Sequence, residues 1–176
     1  MNEIKNILLT GAPSSGKTTV IKKIIENLNH PANGFYTVEE RVEGKRVGFL
    51  MKTIDGKEGY LAHQNIKSDF YIRRYGVSIE NIESIAVPSI FPVENNIIIL
   101  DEIGKMECFS LAFKQATTNA IDASNIVIGT ITLGGDDFIR EIKKRGIVEI
   151  SEVTEDNRNL LPDIILRKIS NTLNTI

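Results

Sequence analysis

The sequence predicts an α/β fold in which a mainly parallel central sheet has helices on both faces. Residues 96–100 form an almost wholly apolar run, which is typical of a central strand covered on both sides. Residues 18–28 carry apolar side chains at positions 20, 21, 24, 25 and 28, which form one stripe along a helix. Strand-like and helix-like segments then alternate along the chain, as they do in layered parallel sheets.

The individual elements follow from local patterns. Residues 4–10 are predicted to form a buried strand that leads into a glycine-rich turn, and the helix at 18–28 comes next. Beyond the central strand at 96–100, the predicted elements are a helix at 110–123, a strand at 125–132, a helix at 136–145, a strand at 147–153 and a closing helix at 160–173.

An insertion of different character follows the first helix. Between residues 34 and 62, short β-prone runs are separated by glycine-containing turns at 43–45 and 55–57, which predicts antiparallel strands. The insertion is too short to bury a core of its own. We therefore expect one domain over residues 1–176, with the insertion built into it.

Composition argues against several classes of protein. The chain has 23 acidic and 21 basic residues and no tryptophan, which gives no indication of a nucleic-acid binder. No apolar run approaches the roughly 18 residues that a membrane span needs. The one cysteine, Cys108, cannot form an intramolecular disulfide. We expect a cytoplasmic protein with no membrane segment, and the sequence leaves its oligomeric state open, a monomer included.

A glycine-rich turn separates the first strand from the first helix. Its sequence, GAPSSGKT at 11–18, fits the G-x-x-x-x-G-K-[ST] pattern of a phosphate-binding P-loop. Glycine lets backbone N–H groups wrap around phosphate oxygens, and the helix N-terminus points its positive end at them. Lys17 would bring charge to the β- and γ-phosphates, and the Thr18 hydroxyl would bind Mg²⁺. An ordinary Gly/Ser turn is the alternative, but its position between a strand and a helix favours the P-loop.

A pair of acidic residues follows the central strand. Four apolar residues at 97–100 and then Asp101 and Glu102 have the pattern of a Walker B strand. Ligands of open α/β sheets bind at the carboxyl edge, where Asp101 would hold Mg²⁺ through water. Glu102 would orient or deprotonate the attacking water. The alternative, that both acids cap a helix, is weakened by the P-loop elsewhere in the chain.

Two threonines end another buried strand. The hydroxyls of Thr130 and Thr132 are candidates to sense the γ-phosphate, although threonine is also a common strand former, and the sequence leaves both interpretations open. His30 and His63 have no ligand partners at a recognisable spacing. We therefore expect no metal site other than the nucleotide-bound Mg²⁺.

Beyond the P-loop, the sequence resembles the THEP-type nucleoside-triphosphatase family. The matching stretches are GFYT at 34–37, GF at 48–49, RYGV at 74–77, DEIGKME at 101–107, VT at 153–154 and NR at 157–158. DEIGKME is the most specific of them, and the resemblance covers nearly the whole chain. It implies a RecA-like α/β fold and Mg²⁺-dependent hydrolysis of ATP, GTP and other nucleoside triphosphates to the diphosphates.

These arguments give a set of expected site residues. We expect catalytic roles for Lys17, Glu102 and Lys105, and Mg²⁺ binding by Thr18 and Asp101. The residues expected to contact the nucleotide are Gly11, Ala12, Pro13, Ser14, Ser15, Gly16, Lys17, Thr18, Thr19, Asp101, Glu102, Ile103, Gly104, Lys105, Met106, Glu107, Arg74 and Arg158. A cation that stabilises the transition state is expected to be Lys105 first and Arg74 second, with Arg41, Arg73 and Arg158 as further candidates.

The predicted function is hydrolysis of ATP, GTP, CTP and UTP with little discrimination between bases. The chain has no Asn-Lys-x-Asp element, by which GTPases read guanine. Two alternatives remain open from the sequence alone. One is a nucleoside or nucleotide kinase, which would transfer the phosphate to an acceptor, and the other is a nucleotide-dependent switch with slow hydrolysis.

Overall fold

The computed structural model describes residues 5–174. Its strands are β1 (Asn6–Thr10), β2 (Ala32–Val42), β3 (Lys45–Thr53), β4 (Glu58–His63), β5 (Tyr71–Ile72), β6 (Tyr75–Val77), β7 (Ile97–Ile103), β8 (Val127–Ile131) and β9 (Val148–Glu152). Its helices are α1 (Lys17–Asn27), α2 (Ile79–Asn81), α3 (Val87–Ser89), α4 (Leu111–Asp122), α5 (Asp137–Lys144) and α6 (Leu161–Leu173). A π-helical turn, Ile82–Ala86, joins α2 to α3, and a 3₁₀ turn, Glu107–Phe109, precedes α4.

Within residues 5–174 the strands form one sheet in the order β5-β6-β4-β3-β2-β7-β8-β1-β9. Pairing is parallel between β2 and β7, β7 and β8, β8 and β1, and β1 and β9. It is antiparallel between β2 and β3, β3 and β4, β4 and β6, and β6 and β5. The predicted α/β class is therefore confirmed. Strand β8 lies between the strand that precedes the P-loop and the acidic strand β7, and the arrangement agrees with the RecA-like P-loop fold that the resemblance implies.

Side-chain alternation along the central strands builds a core on each face of the sheet. In β7, Ile97 and Ile99 pack with α1 and α6, whereas Ile98 and Leu100 pack with α4 and α5 on the opposite face. All four side chains are at most 1% exposed. Helices on both faces therefore explain why this strand is a continuous apolar run rather than an alternating one.

The insertion after α1 is joined to the parallel sheet through a single long strand. The first half of β2 pairs with β7 in parallel, so that Phe35 lies opposite Leu100. Its second half forms an antiparallel hairpin with β3, in which Glu39 lies opposite Phe49. The insertion was expected to begin at Gly34, but β2 starts earlier because its first residues belong to the parallel sheet. The hairpin consequently extends from the same edge at which β7 carries its acidic residues.

The sequence analysis predicted no helix or strand for residues 64–95. In the structure, β5 and β6 form a short hairpin whose turn places Arg73 in the left-handed region, at φ 55°. Since neither turn residue is glycine or asparagine, the sequence carried no signal for this turn. The helical segment at 79–89 then covers the sheet, with Ile82, Ala86 and Ile90 fully buried. None of the helices within residues 5–174 is long and apolar enough to cross a membrane.

Candidate active site

The turn between β1 and α1 has the backbone conformation of a phosphate-binding loop. Gly11 and Gly16 have φ angles of +145° and +104°, which side chains rarely allow, and a Cβ added to Gly11 would lie 2.7 Å from the Val153 carbonyl oxygen. The ammonium group of Lys17 donates to the carbonyl oxygens of Gly11 and Ala12, each at 3.1 Å. The charged end of Lys17 is thus held beside the loop, and α1 begins at this residue.

Asp101 lies fully buried on β7, two strands away from β1. Its Oδ1 accepts a hydrogen bond from the Thr130 hydroxyl at 2.6 Å, and its Oδ2 accepts from the Thr37 N–H at 3.5 Å. Burial raises the pKa of this carboxyl group, and hydrogen bonds from Thr130, Thr18 and Thr37 oppose the rise. Thr130, one of the two candidate γ-phosphate sensors, is therefore a hydrogen-bond partner of Asp101.

Two further carboxylates lie on either side of Gly104. A Cβ added to Gly104 would be 2.9 Å from Glu102 Oε1 and 2.8 Å from Glu107 Oε2, so only glycine leaves room for both. Burial, and then the charge of Asp101, raise the pKa of Glu102, while Lys17 lowers it. Burial, and then the charge of Glu102, raise the pKa of Glu107 well above its ordinary value. Three carboxyl groups therefore lie close together at this end of the sheet, and ionisation of one makes ionisation of the next less favourable.

A cleft of about 680 Å³ runs from the P-loop to the β2–β3 hairpin. Its lining residues are Gly11, Pro13, Ser14, Gly16, Lys17, Thr18, Thr19, Lys22, Thr37, Val38, Glu39, Arg46, Phe49, Glu102, Thr132 and Leu133. The cleft brings together most of the predicted loop residues with Glu102 and Thr132, the second candidate γ-phosphate sensor.

Other predicted residues lie around the cleft without lining it. Arg158 contacts the P-loop from outside, since a Cβ added to Gly16 would be 3.3 Å from its Cδ. Lys105 is exposed on the turn after β7. Ile103 is fully buried in the core, Met106 packs against that core, and Arg74 donates to the carbonyl oxygen of Arg46. Contact of these side chains with a nucleotide stays a prediction.

The structure adds cleft residues that the sequence reasoning missed. The hairpin supplies Thr37, Glu39, Arg46 and Phe49, and α1 supplies Lys22. The available signal was the GFYT stretch at 34–37, which is part of the family resemblance but was given no role. Because Phe35 pairs with Leu100, the residues that follow Phe35 run beside Asp101 and Glu102. That register was not visible in the sequence.

A P-loop between a strand and a helix, with a buried aspartate on a nearby parallel strand, defines a P-loop nucleotide-binding protein of the α/β class. Comparison with known proteins gives the family. Residues 6–166 match the model of the NTPase family. The chain therefore belongs to this family of nucleoside-triphosphatases, as its sequence predicted.

Named relatives and a solved structure agree with this assignment. The chain is 43% identical to nucleoside-triphosphatase THEP1 of Thermotoga sp. strain RQ2, over 91% of this chain and 92% of the relative. It is 39% identical to the cancer-related nucleoside-triphosphatase homolog of Mus musculus, over 92% and 95%. The crystal structure of THEP1 from Aquifex aeolicus superposes with a TM-score of 0.82 at 32% identity, over 93% of this chain and 98% of that one.

Proposed function

We propose that the protein hydrolyses nucleoside 5′-triphosphates to the diphosphate and phosphate, in a Mg²⁺-dependent reaction with little preference for the base. The observation that carries this proposal is that one cleft contains both the P-loop and Glu102. The loop and Lys17 would bind the phosphates, which all nucleoside triphosphates share. Glu102, in the same cleft, would orient or deprotonate the water molecule that attacks the terminal phosphate.

The residues present fit a magnesium ion. Mg²⁺ prefers oxygen ligands and usually keeps several waters and substrate phosphate oxygens, so it needs few protein ligands. Asp101 offers a buried carboxylate, and the Thr18 hydroxyl is close enough to lower the pKa of that carboxylate. When bound, Mg²⁺ would neutralise charge on the β- and γ-phosphates. We therefore propose Thr18 and Asp101 as its protein ligands, with Asp101 acting through water.

The chain's own residues would bind the phosphates, hold Asp101 in place and accept a proton from the attacking water. Lys17 would leave the carbonyl oxygens of Gly11 and Ala12 and donate to phosphate oxygens. Thr130 would hold Asp101 in place through its 2.6 Å hydrogen bond. Glu102 must be ionised to accept a proton, and the positive charge of Lys17 favours its ionised form against burial and Asp101.

A phosphate-release assay tests the proposal. ATP, GTP, CTP, UTP and the corresponding deoxynucleotides are each compared with and without Mg²⁺, and products are separated to identify the diphosphate. We expect release from every substrate and loss of activity when Mg²⁺ is removed. If no phosphate were released and the γ-phosphoryl group instead appeared on an added nucleoside or nucleotide acceptor, the protein would be a kinase.

Several expectations stay predictions alongside this proposal. One continuous sheet through residues 5–174 supports a single domain over 1–176. A cytoplasmic location and the lack of nucleic-acid binding rest on the sequence alone.

A further inference from the structure

Arg46 contributes positive charge to the nucleotide cleft from the β2–β3 hairpin. Within residues 5–174, it is the one arginine among the side chains that line the cleft, which it shares with Lys17 and Glu102. None of the sequence arguments above assigned it a role. An arginine at this place is of interest because the P-loop lysine is already committed to the bound triphosphate, whereas hydrolysis adds negative charge to the γ-phosphoryl oxygens.

The position of Arg46 is fixed by neighbours on β3, on β6 and in the turn that precedes β6. Its carbonyl oxygen accepts hydrogen bonds from Arg74 Nη2 at 2.6 Å and from the Tyr75 hydroxyl at 3.1 Å. Its guanidinium carbon lies 5.1 Å from the centre of the Phe49 ring and 6.0 Å from that of Tyr75. Such contacts orient the planar group before any ligand arrives, which reduces the entropy lost on binding.

Arg46 could exchange its present partner, the carboxylate of Glu39, for another anion. Glu39 Oε1 accepts from Arg46 Nη1 at 2.5 Å, whereas Glu39 Oε2 accepts from Arg41 through Nε at 3.0 Å and Nη2 at 2.5 Å. If Arg46 turned to another anion, Glu39 would keep its pair with Arg41. The Nε atom of Arg46 is buried and has no hydrogen-bond partner among the described residues. The guanidinium group thus has donor capacity that its current contacts leave unused.

We propose that Arg46 donates hydrogen bonds to the γ-phosphoryl oxygens as the transition state forms. In hydrolysis, the oxygen of water bonds to the γ-phosphorus while the bond from phosphorus to the β–γ bridging oxygen breaks. A proton of the water passes to Glu102, and the diphosphate takes the electron pair of the broken bond. Arg46 forms no covalent bond and stabilises the charge that spreads over the γ-phosphoryl oxygens. This inference rests on the proposed hydrolysis and adds a residue to it.

The test separates transition-state binding from ground-state binding. Arg46→Ala and Arg46→Lys are compared with wild type in kcat, in the Kd of a non-hydrolysable ATP analogue, and in the Kd of Mg-ADP with aluminium fluoride, which mimics the transferring phosphoryl group. We expect kcat of Arg46→Ala to fall about 10³-fold, since an arginine in this role contributes roughly 10³–10⁵. Its aluminium fluoride complex should weaken in parallel, while the Kd of the ATP analogue stays within about threefold.

Arg145 provides a matched control for Arg46. Its side chain is 30% exposed, against 35% for Arg46, and it also pairs with a carboxylate, that of Asp122. It follows α5, away from the cleft lining, so Arg145→Ala should keep wild-type kcat.

The variant Arg46→Lys keeps a positive charge and provides the test if Arg46→Ala does not fold. Its kcat should fall at least tenfold because the planar donor fork is lost. A loss below tenfold in a folded variant, or equal weakening of the ATP analogue, would overturn the inference. Absence of hydrolysis in wild type would instead refute the proposed function.

Discussion

Lys17 occupies the position where α1 begins and donates to two carbonyl oxygens of its own loop. Replacing it by alanine removes the charge next to the phosphates and leaves the loop backbone unchanged. We expect Lys17→Ala to lose most of its affinity for Mg-ATP and most of its activity. Affinity is measured by calorimetry and turnover by phosphate release.

Lys22 provides the control for that substitution. It also lies on α1 and lines the cleft, but its ammonium group lies 5.5 Å from the centre of the Tyr36 ring rather than on the loop. Lys22→Ala should therefore weaken Mg-ATP binding much less than Lys17→Ala does. Wild-type hydrolysis by Lys17→Ala would show that the loop does not bind the triphosphate.

Glu102 lines the cleft together with the P-loop and is the general base that we propose. We expect Glu102→Gln to bind ATP with unchanged affinity and to hydrolyse it about 10²–10⁴ times more slowly. That loss corresponds to roughly 3–5 kcal/mol of activation free energy. Single-turnover kinetics with a separate binding measurement give the two quantities.

The raised pKa of Glu102 provides an independent check on folding. Because its folded pKa lies above the unfolded value, the ionised side chain costs stability as the pH rises through the folded pKa. The neutral glutamine should therefore leave the melting temperature at neutral pH unchanged or higher. Glu141→Gln, at an exposed acid on α5, is the control and should change neither rate nor stability. Equal loss of binding and turnover in Glu102→Gln would indicate a structural role.

Among the elements, the contact between β7 and β8 places Asp101 beside Thr130. Gly129 of β8 lies opposite Leu100, and a Cβ there would be 2.1 Å from the Leu100 carbonyl oxygen. Gly129→Ala must push the two strands apart, and overpacking of this kind costs about 1–3 kcal/mol or more. We expect a lower free energy of unfolding in urea, together with reduced activity because the Asp101–Thr130 pair is displaced.

Gly134 gives the matched comparison. It follows the same strand, is exposed, and has no atom within 4 Å of an added Cβ. Gly134→Ala should therefore leave the free energy of unfolding within about 0.5 kcal/mol of wild type. If Gly129→Ala were equally mild, close packing of β7 against β8 would not be what holds the site together.

The elements that the sequence predicted well are those with a strong local pattern. Helix α1 was expected at 18–28 and runs over Lys17–Asn27, because its apolar stripe has helical spacing. Strand β7 was expected to end at Leu100, but it continues to Ile103, so Asp101 and Glu102 lie within the strand. The acidic residues carry no β-propensity and lie at an irregularity of the ladder, and the strand continues beyond them because Ile103 pairs again with Ile131 of β8.

For a related reason, the sequence predicted only one side of the cleft. The P-loop side is one contiguous motif, residues 11–18, which can be identified from its pattern alone. The hairpin side depends on pairing between distant segments, such as Glu39 with Phe49 and Phe35 with Leu100. Arg46 and Thr37 reach the cleft through that register, which no local pattern specifies.

At the scale of the whole molecule, we expect the cleft to recognise phosphates more than bases. Among the described residues, its lining includes two glycines, one serine, two lysines and one arginine, together with threonine hydroxyls, two glutamates and one aromatic ring, Phe49. Backbone N–H groups and cations bind phosphate oxygens, which are common to every nucleoside triphosphate. Specific reading of a base would require donors and acceptors placed against its polar edge, since unpaired polar groups then reject the wrong base.

The last prediction follows from that composition. We expect ATP and GTP to differ by less than about tenfold in kcat/KM, which corresponds to about 1.4 kcal/mol. Adenine and guanine differ in the donors and acceptors on their edges, so a protein contact to either edge would add more than this. Competition between the two substrates in one reaction measures the ratio directly, with CTP and UTP as further competitors. A thousandfold preference would mean that a base pocket exists beyond the cleft lining. Arg158, which contacts the P-loop at Gly16, would then be the first residue to replace.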